Sequence, residues 1–289
     1  SNRLNNTIFV KREDLQPIFS FKLRGAYNKL KNLSKKELAK GVIAASAGNH
    51  AQGVALAAQK LKSKAVIVMP VTTPEIKVDA VRSKATVILH GDTYDEASDF
   101  AQHLAEERGY IYIHPFDDKE VIIGQGTIGH EIHKQIDEQI DYLFVPVGGG
   151  GLCAGVAAYV KSISPSTKII AVESDDAACV REAMLTGEPT KLSSVGLFAD
   201  GTAVAQIVNN TFEVLKELVD DIVLFSTDEI CSAIKYIYNE FRAISEPSGA
   251  MGLAGLKMFV IQNSISQHTL VTIQWGANID FDRVRYISE

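Results

Sequence analysis

The sequence is short of three things that mark whole classes of protein. Cysteine is the first: Cys153, Cys179 and Cys231 are the only three among 289 residues, widely spaced and without a CxxC pair. An odd, scattered set excludes a disulfide framework and a thiolate zinc site, and reads as structural thiols in a reducing compartment, the cytoplasm. The second is positive charge. The formal net charge is -6 and no Lys/Arg cluster is interleaved with aromatics, so the chain is not built to bind a phosphate backbone and nucleic acid is not an expected partner. The third is a long apolar run. The longest, such as 65–70 and 142–147, fall far below the about 20 residues of a membrane span. The opening SNRLNNTIFVKRED also lacks a signal-peptide pattern, so no membrane association is expected. Low-complexity linkers, charge blocks and repeats are missing too, so any division into lobes must be interdigitated rather than head-to-tail.

What is present is alternation. Short β-branched runs, at 7–11, 41–45, 65–69, 86–90, 110–114, 142–147, 168–173, 222–225 and 269–274, alternate with segments of helical spacing. The helical segments are 52–61, 94–108, 121–136, 151–162, 228–241 and 247–261. Strand-helix alternation of this kind predicts an α/β fold with parallel sheets covered on both faces. With 46% hydrophobic residues, the chain can fill two cores.

Three places carry chemistry. Lys22 lies in Ser20-Phe21-Lys22-Leu23-Arg24-Gly25, where a strand is expected to hand over to a helix. A lysine acts as a nucleophile or carbon base only when neutral, and apolar neighbours such as Phe21 and Leu23 favour the neutral form. After the strand at 142–147 come Gly148, Gly149, Gly150 and Gly151, and then Leu152 opens a helix. Four glycines let backbone N–H groups converge on an anion at a helix N-terminus, which fits a phosphate. The third place is the loop Ser46-Ala47-Gly48-Asn49-His50 after the strand at 41–45, suited to hold a carboxylate on backbone N–H groups and a ring hydroxyl on Asn49.

Residues 149–154 also satisfy the GxGxxA form of a dinucleotide fingerprint, with Glu173 ending the next strand, so an NAD-binding domain is the rival reading. It leaves Lys22 and the Asn49 loop without a use. Pyridoxal 5'-phosphate needs all three places at once: a lysine for its aldehyde, a phosphate cradle and a polar partner for its ring oxygen. The near-zincin pattern His130-Glu131-Ile132-His133 spaces its histidines three apart rather than four and is expected to be a solvated helix face.

Taken in order, VKREDLQPIFSFKLRGAYNKL, SAGNHAQG, VPVGGGGLCAGVA, GLFADGTAV, EPSGA and GANIDFDRVRY closely resemble the catalytic domain of biosynthetic threonine dehydratases (threonine deaminases), over essentially the whole chain. The resemblance implies a fold type II PLP enzyme (tryptophan synthase β-like) with two interdigitated parallel-sheet α/β lobes, a large one at 1–40 and 119–289 and a small mobile one at 41–118. It implies that Lys22 carries the cofactor, that Asn49 bonds its ring oxygen, and that Gly148, Gly149, Gly150, Gly151 and the Leu152 amide hold its phosphate. Ser46, Ala47, Gly48, Asn49 and His50 are then the substrate loop. The implied reaction is β-elimination of water from L-threonine, then hydrolysis of the product, for a net conversion to 2-oxobutanoate and ammonia, the first step of isoleucine biosynthesis, with L-serine giving pyruvate as a side activity. The implied assembly is a homodimer or homotetramer. Serine racemases resemble the same family, but those that racemise have serine where this chain has Ala47, which carries no proton to transfer.

The chain also departs from the family. Trp275 stands where a serine, cysteine or threonine meets the pyridine nitrogen; its indole N–H is a donor but its ring is far bulkier, which motivates a catalytically impaired PLP-fold module as an alternative. The turn at 81–87 is one residue shorter than is usual, a change expected to be absorbed locally. The upstream segment and ACT-like regulatory domains of the biosynthetic enzymes are absent from this sequence, so feedback inhibition is expected to be absent if the sequence is the whole molecule. Of the acid trio that binds metal in serine racemase, Glu173 and Ala177 match but Cys179 replaces an aspartate; no metal is expected, and Glu173 is expected to bond backbone or a buried water.

Overall fold

The computed structural model describes residues 2–288. In chain order the elements of the first half are β1 (Thr7–Arg12), α1 (Lys22–Asn32), α2 (Lys35–Lys40), β2 (Val42–Ala45), α3 (Asn49–Lys60), β3 (Ala65–Met69), α4 (Glu75–Arg82), β4 (Thr86–Leu89), α5 (Tyr94–Arg108), β5 (Ile111–Tyr112) and α6 (Lys119–Gln135). There follow β6 (Tyr142–Pro146), α7 (Gly151–Ile163), β7 (Lys168–Ser174), α8 (Cys179–Thr186), α9 (Asn209–Leu218), β8 (Asp221–Phe225), α10 (Thr227–Phe241), α11 (Pro247–Asn263), β9 (Thr269–Gln274) and α12 (Phe281–Ser288). All nine expected strands are present, each within a residue or two of its expected ends; β5 keeps only Ile111 and Tyr112. The contacts divide the chain after Leu15 and again after Gln125, giving a discontinuous unit and an inserted one.

The discontinuous unit carries a five-stranded parallel sheet in the order β1-β9-β6-β7-β8, with β1 laid against β9 from Thr7↔Thr269 to Arg12↔Gln274. Strand β6 and the centre of β7, residues 169–172, read as short apolar runs, as strands covered on both faces do. Helix α11 is buried nearly all round, and Met251, Ala254 and Phe259 join Phe144, Val172 and Leu270 in the core. Pro247 starts this helix at a position where a missing N–H costs nothing.

The inserted unit has a four-stranded parallel sheet in the order β4-β3-β2-β5. Strands β2 and β3 are fully buried, and Ile67, Met69, Val54 and Ala58 pack with Ala26 and Leu30 of α1. Helices α2 and α5 begin with capping boxes, Ser34 with Glu37 and Thr93 with Glu96, which satisfy first-turn amides. The short turn at 81–87 closes locally, the amides of Lys84 and Ala85 both donating to the Val81 carbonyl. Helix α1 belongs to this unit, whereas the expected lobe boundary at 40/41 put it in the other. The reason is packing: α1 lies on α3 so closely that a methyl at Gly53 would stand 3.0 Å from the Lys22 carbonyl oxygen.

Candidate active site

In the inserted unit, Lys22 is the first residue of α1. No strand hands over to it, contrary to expectation: β1 ends at Arg12, and the residues between run through a short 3-10 turn at Glu13–Leu15 and irregular backbone. The expected apolar surroundings do hold, since Phe21 is buried and its ring centroid lies 5.3 Å from the Lys22 amine. The Lys22 Nζ donates to the Pro115 carbonyl at 2.9 Å. That contact joins residues 93 apart in sequence and no local pattern announced it.

Asn49 opens α3, and Gly53, one turn further along, lies against the backbone of Lys22. The N-termini of the lysine helix and the asparagine helix are therefore fixed side by side. Ser46, Ala47, Gly48 and Asn49 are half-buried, with the Gly48 amide donating to the Ser46 hydroxyl at 3.1 Å. A methyl built on Gly48 meets no atom within 4 Å, so there is open space at the start of α3, where first-turn amides lack carbonyls of their own helix. His50 is different from its loop neighbours. Its ring is buried and Nε2 bonds to the Ile113 carbonyl at 2.9 Å. Burial first, and then the charge of Lys22, push the imidazole down to about 3; it is neutral at physiological pH, with its proton on the Nε2 that faces the carbonyl.

In the discontinuous unit, β6 runs into the glycine turn and α7 starts at Gly151. All four glycines are buried. Gly150 has φ +88°, the left-handed region that favours glycine, and a methyl there would crowd Ile207, Thr211 and Leu215 at 3.1 to 3.2 Å. A methyl at Gly148 would stand 2.9 Å from the Thr202 Cα. The turn thus admits no side chain at these two positions, and the first-turn amides of α7 have no carbonyl of their own helix to bond. The turn therefore has the donor chemistry that a phosphate group needs. Trp275 follows β9 and is only 4% exposed.

Glu173 near the end of β7 gives the rival dinucleotide reading no support. The carboxylate is buried, with Oε1 accepting from the Val180 amide at 2.9 Å and Oε2 from the Arg181 amide at 2.8 Å, so it caps α8. The expected backbone role of Glu173 is borne out. Burial outweighs these two bonds and raises its pKa to about 7. A folded-state value above the ordinary 4.5 gives stability that is present below about pH 4.5 and is lost as pH rises through about 7. Urea midpoints should fall between about pH 5 and about pH 8, and Glu173→Gln should shrink that fall by at most roughly 3 kcal/mol. An unchanged fall would place the pH dependence elsewhere.

The His130–His133 segment of α6 is not a fully solvated face. His130 is half-buried with Nδ1 2.7 Å from the Tyr159 hydroxyl, and Glu131 pairs with Lys11 at 2.6 Å. Among the described residues no group of three acidic, histidine or cysteine side chains is placed to hold a metal, and no helix is long and apolar enough to cross a membrane.

Comparison with known proteins bears on the same residues. The family described as pyridoxal-phosphate dependent enzyme matches residues 1–275. The chain is 54% identical over 290 aligned residues to the biosynthetic L-threonine dehydratase of Pasteurella multocida, covering 100% of this chain and 56% of that protein. It spans little more than half the length of the curated relatives it matches. The processed form of threonine deaminase isoform 2 from Solanum lycopersicum superposes with a TM-score of 0.98 at 52% identity, over 100% of this chain and 84% of that one. Maize serine racemase follows at 0.92 and 33% identity, over 99% and 87%. A lysine at a helix start, an open asparagine turn and a glycine cradle are what such a cofactor requires, and the match running through Trp275 leaves one assignment: the chain belongs to the pyridoxal-phosphate dependent enzymes.

Proposed function

We propose that this chain deaminates L-threonine to 2-oxobutanoate and ammonia, the committed reaction of isoleucine biosynthesis, with L-serine as a slower substrate that yields pyruvate. The observation that carries the reading is the close packing of α1 on α3, which sets the Lys22 backbone against Gly53, one turn along the asparagine helix. The identity to threonine dehydratases along the entire chain supports it.

In this reading Lys22 holds the cofactor and, once released by substrate, its neutral amine takes the Cα proton. Asn49 orients the ring through its oxygen, and the amides of Gly148, Gly149, Gly150, Gly151 and Leu152 hold the phosphate. The turn Ser46, Ala47, Gly48, Asn49 and His50 binds the substrate carboxylate through backbone donors and the Ser46 hydroxyl. Bound pyridoxal phosphate supplies an electron sink for the bond broken at Cα. Ala47 has no acid or base to return a proton from the opposite face, which favours elimination over racemisation. Trp275, which replaces the family's short polar residue, would be the candidate donor to the pyridine nitrogen. The mobile lobe at 41–118, a homodimeric or homotetrameric assembly and a cytoplasmic location belong to the same proposal.

The test is an assay of 2-oxobutanoate from L-threonine after titration with pyridoxal phosphate. Trp275 is the only tryptophan, so its fluorescence reports on the site directly. Saturable quenching that tracks the visible band of the bound cofactor, followed by turnover of threonine faster than serine, is the expected result. Quenching without turnover would favour the impaired module, and neither would overturn the reading.

A further inference from the structure

The amine of Lys22 is received by a stretch of backbone that two histidines hold. Its acceptor, the Pro115 carbonyl at 2.9 Å, belongs to the turn that follows β5. On one side of that turn His50 bonds to the Ile113 carbonyl at 2.9 Å. On the other, Nδ1 of His114 accepts two amides, from Phe116 at 3.3 Å and Asp117 at 2.8 Å, while the ring lies edge-on to Phe116 with centroids 4.7 Å apart. Proline has no N–H and a fixed φ, so at residue 115 the turn offers a carbonyl and no competing donor. A ring that accepts amides at Nδ1 keeps its proton on Nε2, and protonation of Nδ1 would break both bonds.

We propose that His114 is a positioning residue for Lys22: by accepting the Phe116 and Asp117 amides it shapes the turn whose Pro115 carbonyl holds the lysine amine in place before the cofactor arrives. The inference rests on the reading of Lys22 as the cofactor-bearing residue. The groups that face His114 are Lys22 on α1, His50 on α3, Tyr112 on β5, and Asp117 and Asp118 of the turn, with Asp118 paired to Lys29 at 2.6 Å. Burial lowers the His114 pKa, with Asp117 opposing and Lys22 adding to the shift, which keeps the acceptor form present at neutral pH.

The experiment is competitive acetylation of the full chain, freed of cofactor, with Lys22 scored by peptide mass spectrometry against the exposed Lys36. His114→Phe keeps a ring and loses the acceptor; Lys22 labelling should rise about tenfold as the charge-assisted bond to Pro115 is lost. His114→Asn supplies an oxygen that accepts the amide two residues on, and should stay within about twofold of the parent. Unchanged labelling in His114→Phe with native circular dichroism would overturn the proposal, as would His114→Asn behaving like His114→Phe. Where His114→Phe does not fold, imidazole nitrogen shifts of the parent chain decide: a proton on Nε2 supports the proposal and a proton on Nδ1 contradicts it. These readouts need no cofactor, so they stand apart from the borohydride mapping that tests the role of Lys22 itself.

Discussion

Lys22→Ala should abolish the covalent cofactor band and lower threonine turnover by about a thousandfold or more, the combined loss of the attachment point and of the base at Cα. The side chain is half-buried and donates to the Pro115 carbonyl, so its removal leaves the α1–α3 contact, which is made by backbone, in place. Circular dichroism and the thermal midpoint should therefore remain near those of the parent. Turnover within tenfold of the parent would remove Lys22 from the chemistry.

The second large effect is expected at the glycine cradle. Gly150→Ala forces a side chain into the left-handed region and against Ile207, Thr211 and Leu215, and Gly148→Ala drives a methyl toward the Thr202 backbone. Each strains the turn by about 1 to 3 kcal/mol and turns amides away from the phosphate. Pyridoxal phosphate affinity, measured by equilibrium titration, should fall by about ten- to a hundredfold, since a hydrogen bond to a charged group is worth about 1.5 to 3 kcal/mol. Pyridoxal without its phosphate binds without these amides, so its affinity should change far less. Equal losses for both ligands would mean that the variants disturb the fold rather than the cradle.

The architecture was largely legible in the sequence because buried parallel strands are written as short apolar runs, such as AVIVM at Ala65–Met69, between helices with periodic faces. The glycine turn and the asparagine turn were legible for a related reason: each lies where a strand meets a helix, and small residues gathered there leave backbone N–H groups open to a ligand. What was not legible depends on contacts between residues distant in sequence. Nothing near Lys22 tells that α1 packs on α3 through Gly53, so the expected boundary at 40/41 differs from the observed division after Leu15. Nothing near Pro115 marks its carbonyl as the partner of an amine 93 residues away. The His50 ring read as part of an open loop because its burial against Ile113 is set by the sheet above it, not by its neighbours. The two-residue β5 shows the same limit from the other side: the apolar stretch at 110–114 suggested a longer strand, but its last residues are used to build the turn beneath Lys22.

The claim that matters most is that one lysine, Lys22, carries the cofactor, and its most direct test is reduction with borohydride after saturation with pyridoxal phosphate, followed by peptide mapping. A single pyridoxyl-modified peptide containing Lys22, formed in stoichiometric yield and lost in Lys22→Ala, is the predicted result. Modification spread over exposed lysines, or confined to another one, would contradict the assignment of Lys22 and the function drawn from it.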